Sequence, residues 1–161
     1  MKKIVYDNLT NEVNKFLGNI FGLRAEPAID FAFYPDAGEG EPDITYSLLV
    51  TEKTDETFRR FVKIAFDCDF DNIFVLSLLH EVGHAMTDED WTTRQQADFA
   101  NRKNGLNPDN EVDLYNYYYT PDEYAATAWA IDFINDNRQY IDRLTAIFEN
   151  EIFKIYSDFV D

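Results

Sequence analysis

The run Ile73-Phe74-Val75-Leu76-Ser77-Leu78-Leu79 carries apolar side chains on all sides of a helix, and only burial on every face accommodates such a surface. It follows Asp71, a residue suited to cap a helix N-terminus. The helical pattern continues into His80-Glu81-Val82-Gly83-His84, so three ionisable side chains lie on a core helix. A chain of 161 residues supports one hydrophobic core, which predicts a single domain over residues 1–161 and a single site. With 45% hydrophobic and 16% aromatic residues, it has enough apolar content to offset the entropy of ordering.

The net charge of -17 opposes binding to phosphate backbones and anionic lipid surfaces, so no nucleic-acid or membrane partner is expected. The same acidity supports solubility and favours cations or basic substrates nearby. Cys68 is the only cysteine, which excludes an intramolecular disulfide. After the basic pair Lys2-Lys3, the residues Asp7, Asn8 and Asn11 interrupt any leader-like apolar stretch. A cytoplasmic protein is the expectation.

Along the chain, Leu9, Val13, Phe16, Leu17, Ile20 and Phe21 recur at helical spacing, predicting a helix over 8–21 that ends at Gly22. Strand formers at Ala28 to Tyr34 and Ile44 to Thr51 flank the loop Pro35-Asp36-Ala37-Gly38-Glu39-Gly40, which predicts a hairpin. Residues 55–67 carry two competing periods. Val62, Ile64 and Phe66 alternate as in a strand, whereas Phe58, Phe61, Val62 and Ala65 form a helical stripe, and we read the second half as strand. The polar stretch 88–119, with a short helix near 91–103 and a loop at Gly105-Leu106-Asn107-Pro108, reads as a rim. Thr120-Pro121-Asp122-Glu123 has the form of a capping box opening a helix to about Asn135, and helical patterning resumes after Asn137.

His80 and His84 stand four residues apart on one helix face, so both imidazoles can reach one metal ion, with Glu81 at the neighbouring edge. The segment Leu78 to Met86 resembles the zincin metallopeptidases, which use H-E-x-x-H, and is gluzincin-like. It looks most like the ImmA/IrrE-type small bacterial and phage members, which add a downstream helix E-x-x-A-x-x-aromatic-A. Glu123-Tyr124-Ala125-Ala126-Thr127-Ala128-Trp129-Ala130 fits that pattern, except that Thr127 stands where asparagine is expected. The resemblance rests on two short motifs within residues 78–130. It implies a zinc-dependent endopeptidase acting on an extended peptide or protein substrate. In such an enzyme a zinc-activated water attacks the peptide carbonyl, and Glu81 serves as general base and returns the proton to the leaving amine. With no helix-turn-helix evident, DNA contact is not implied.

A catalytic zinc site needs a third protein ligand, and with only two histidines in the chain that ligand is expected to be a carboxylate. Two compete. Asp90 lies six residues after His84, but the turn that would bring it back needs positive φ at Thr87, which is costly for a β-branched residue. Glu123 lies above Ala126, Thr127 and Ala130 on a face of small residues that permits close packing, and Gly83 eases the same approach. Glu123 is favoured, although it could instead close the capping box on Thr120. Thr127 is a candidate partner for a ligand imidazole, and one of Tyr115, Tyr117, Tyr118, Tyr119 and Tyr124 is a candidate oxyanion donor.

The expected architecture is therefore α+β and zincin-like: a small N-terminal sheet packed on a central HExxH helix, with a helical C-terminal half. The alternative reading is a non-catalytic metal-binding or protein-interaction module of phage or mobile-element origin. Retention of Glu81 argues against it, because a structural zinc needs no base beside its ligands.

Overall fold

A computed structural model of the chain describes residues 2–28, 43–47, 52–70 and 72–160, with side chains described over 7–26, 43–46, 56–70 and 72–151. The described residues form α1 (Lys2–Phe21), β1 (Ala25–Ala28), β2 (Ile44–Ser47), α2 (Glu52–Phe66), α3 (Ile73–Thr87), one turn of 3-10 helix (Asp88–Asp90), α4 (Thr93–Asn104), α5 (Glu111–Tyr119), α6 (Pro121–Asp136) and α7 (Arg138–Val160). The protein is thus mostly helical with a minimal two-stranded sheet, which keeps it within a coarse α+β class.

The chain divides into two compact units. One comprises Met1–Leu49 and Asn137–Asp161. Its core joins Leu9, Val13 and Leu17 of α1 to Ile141, Leu144 and Phe148 of α7, all essentially buried. Tyr46 of β2 meets the Phe148 ring edge-on at 5.8 Å. Gly22 ends α1 with φ of 66°, the left-handed conformation that favours glycine. The Asn14 side chain then accepts from the Ala25 backbone N–H at 2.7 Å and anchors the start of β1.

The described strands pair differently from a hairpin, and the hairpin expected between 28–34 and 44–51 rests mostly on residues outside the described ones. β1 and β2 run parallel, with Ala25 opposite Ile44 and Ala28 opposite Ser47, and a tight turn joins only antiparallel strands. Most of the expected first strand, and the loop at 35–40, lie outside the described residues.

The second unit is Val50–Asp136. Here the strand expected near 62–66 is instead the last part of α2. Thr57, Phe58, Phe61 and Val62 are buried at helical spacing, while Ile64, which strand alternation would bury with Val62, is 65% exposed. Asn72, rather than Asp71, caps α3, its side chain accepting from the N–H groups of Phe74 and Val75 at 3.1 Å; Asp71 lies outside the described residues. The apolar run does become a core helix, with Val75, Leu76, Leu78, Leu79 and Val82 buried. Within this unit α3 packs chiefly on α6, whereas the sheet expected against α3 groups with α1 and α7. The stretch read as a polar rim contains, beyond the expected short helix α4, a second helix, α5, which packs on α2 and α6.

Candidate metal centre

The contact of α3 with α6 is set by small residues. A Cβ on Gly83 would lie 2.4 Å from the Ala126 carbonyl oxygen and 3.0 Å from the Ala126 carbonyl carbon and Cα, so the two backbones touch where Gly83 has no side chain. Ala126, Thr127 and Ala130 of α6 are completely buried. This close approach carries Glu123, in the first turn of α6, to the two histidines.

His80 Nε2 lies 2.8 Å and His84 Nε2 3.0 Å from one oxygen, Oε2, of Glu123. Glu123 is 4% exposed, so its carboxylate is withheld from water and satisfied by protein groups instead. The other oxygen, Oε1, accepts from Lys103 Nζ at 2.9 Å, and the same ammonium donates to Asp122 Oδ2 at 2.8 Å. On the far side of His80, Nδ1 faces Thr127 Oγ1 at 2.9 Å. Phe58 meets the His80 ring edge-on at 6.2 Å, supplying an apolar wall.

The ionisation of these groups follows from their placement. Burial alone would raise the Glu123 pKa, but hydrogen bonds from His80 and His84 and their charges outweigh it, and the carboxyl is held far below the usual carboxylate range. Burial lowers and the hydrogen bond to Glu123 raises the His84 pKa, with a net rise. Glu81 behaves in the opposite way to Glu123. Desolvation raises its pKa, and the opposing charges of His80 and His84 do not cancel the rise.

The cluster fits a metal cation. One donor atom from each of His80, His84 and Glu123 lies within 4.8 Å of the other two. In a tetrahedral site with bonds of about 2.0 Å, ligand atoms stand about 3.3 Å apart, and the two imidazole–carboxylate separations of 2.8 and 3.0 Å lie within a few tenths of an ångström of that. The hydrogen-bond pattern admits either a proton or a cation at the same place. Thr127 Oγ1 donates its one proton to the Glu123 backbone carbonyl at 3.1 Å, so it accepts from His80 Nδ1–H. That leaves the lone pair of a neutral His80 on Nε2, facing a carboxylate oxygen. Only a proton or a cation between them makes a 2.8 Å approach favourable.

Comparison with protein-family models, with curated proteins and with solved structures returned no match. The site is therefore read from its own geometry.

That geometry brings together His80, Glu81, His84, Glu123 and Thr127, and it leaves Asp90 out. Asp90 is exposed in the 3-10 turn and belongs to no cluster of three or more potential metal ligands among the described residues. Thr87 has φ of -114°, so the chain leaves α3 without the left-handed turn that the Asp90 route requires. The capping box at Thr120 also does not form. The Thr120 hydroxyl donates back to the Asn116 carbonyl at 3.0 Å, and the Glu123 carboxylate points across to α3.

The five tyrosines separate. Tyr115 and Tyr119 pack on Phe61, Tyr118 on Phe58 and Phe61, and Tyr124 on Phe66. Burial pushes the Tyr118 hydroxyl up to about 12. The charge of Glu123 raises the hydroxyl pKa of both Tyr117 and Tyr118 after burial, and for Tyr117 the charge of Glu81 adds to it. Lys103 is the site residue that sequence reasoning missed. It sits in the last turn of α4, twenty residues before Glu123, a separation that no helical or strand period relates to the site.

Proposed function

We propose that this chain is a zinc-dependent endopeptidase of the zincin type, with His80, His84 and Glu123 as metal ligands and Glu81 as general base. The observation that carries the reading is the convergence of both imidazole Nε2 atoms on one buried Glu123 oxygen, beside a second glutamate that is no part of the ligand set. A structural zinc site is closed by four protein ligands, whereas three ligands leave a position for water or substrate.

When bound, the zinc ion supplies Lewis acidity, lowering the pKa of a water and polarising the scissile carbonyl. The protein's own groups do the rest. Glu81 holds the proton removed from the attacking water. The same carboxyl then protonates the leaving amine. Thr127 fixes the His80 tautomer by accepting Nδ1–H, so Nε2 presents a lone pair to the metal. We assign the role of oxyanion donor to Tyr117, whose hydroxyl feels both Glu123 and Glu81 and keeps its proton. The substrate is a peptide or protein, with basic segments favoured by the net charge of -17.

The test is a casein or mixed-peptide digestion with stoichiometric zinc, with Glu81→Gln as the control. We expect the wild type to cleave and the variant to keep its zinc but lose hydrolysis by several orders of magnitude. Equal rates in the two proteins would refute the mechanism. Zinc binding by a wild type that cleaves nothing would replace it with the non-catalytic module.

A further inference from the structure

The two oxygens of Glu123 have separate partners. Oε2 faces both imidazoles, while Oε1 is held by Lys103, which reaches it from α4 with its side chain only 19% exposed. Lys103 is itself anchored by Asp122 at 2.8 Å. Asp122 and Glu123 are consecutive residues in the first turn of α6, so one ammonium bridges two neighbouring carboxylates. Such charge-assisted bonds, shielded from water, hold the carboxylate plane more firmly than a neutral contact would.

This division matters to a metal ion. A carboxylate can bind through one oxygen or through both, and the second mode consumes another coordination position. We propose that Lys103 is a positioning residue that occupies Glu123 Oε1, restricts Glu123 to one-oxygen ligation, and so keeps a coordination position open for water or substrate. The inference rests on the metal-site reading above and assigns Lys103 a role beyond tying α4 to α6.

Cobalt(II) substitution separates the two roles, because the visible absorption of the ion is intense in four-coordinate sites and weak in five-coordinate ones. The wild type should bind one cobalt ion with the intense band. Lys103→Met keeps the length and apolar stem but frees Oε1, and should show a several-fold weaker band. Its zinc affinity should fall about 10- to 100-fold, as changes just outside a ligand shell do. Asp122→Asn weakens the anchor while leaving the ammonium in place, and should shift the spectrum in the same direction by less.

A Lys103→Met protein that melts at lower temperature yet keeps the wild-type spectrum would show a purely structural ion pair and overturn the proposal. If that variant does not fold, an Asp122→Asn spectrum identical to wild type overturns it equally. A wild type that binds no cobalt, or a His84→Ala variant that binds it unchanged, would instead overturn the metal site itself.

Discussion

Gly83→Ala sets two physical expectations against each other. In an exposed helix interior, replacing glycine with alanine stabilises by about 1 kcal/mol, because alanine loses less backbone entropy. Gly83 is in a helix interior but buried, and its added Cβ would stand 2.4 Å from the Ala126 carbonyl oxygen. Carbon–oxygen contacts of this kind begin near ~3.3 Å, so α3 and α6 would have to part by about 0.9 Å. Backbone atoms cannot rotate away as a side chain could, which places the packing cost toward the upper part of the usual overpacking range of about 1–3 kcal/mol. The net expectation is a loss of about 1–2 kcal/mol after the helix-propensity gain. With a urea dependence of about 2 kcal/mol per molar, the unfolding midpoint of chelator-treated protein should fall by about 0.5–1 M. Zinc affinity should fall as well, because metal–ligand distances tolerate only about 0.2 Å, and the same separation draws Glu123 away from His80 and His84. An alanine variant with a raised midpoint and intact zinc binding would refute the close-contact account.

Two further outcomes follow from the site. Glu123→Gln should lower zinc affinity by more than the roughly 10- to 100-fold that changes outside the ligand shell cost, with Asp90→Ala nearly neutral; a metal titration with the reverse order would reassign the third ligand. In metal-free protein, Glu81→Gln should be more stable than wild type at pH 7. The folded pKa of Glu81 lies above its ordinary 4.5, so the wild type loses stability as pH rises from that value through the folded one, and glutamine does not titrate. The difference should shrink toward pH 4 in paired melting curves, and a variant less stable than wild type at pH 7 would contradict the desolvation of Glu81.

Much of the site was legible because its first half is local. His80, Glu81 and His84 are related by the helical repeat alone, and an apolar run that must be buried places them in a core whatever surrounds it. Glu123 was legible by subtraction, since a three-ligand metal site in a chain with two histidines would need a carboxylate and the strained turn at Thr87 disfavoured Asp90. Local rules failed where two patterns shared the same residues. Over 62–66 both a strand and a helical stripe fit, and only packing, which buries Phe61 and Val62 and leaves Ile64 outside, chose the helix. At Thr120 the capping box was a sound local pattern, but two imidazoles and an ammonium offered Glu123 stronger partners than a backbone N–H. The parallel pairing of β1 and β2 and the reach of Lys103 to Glu123 join residues far apart in the chain. No period connects such residues, so the amino-acid order supplied the chemistry of the site, and only the packing of separate helices decided which charges meet there.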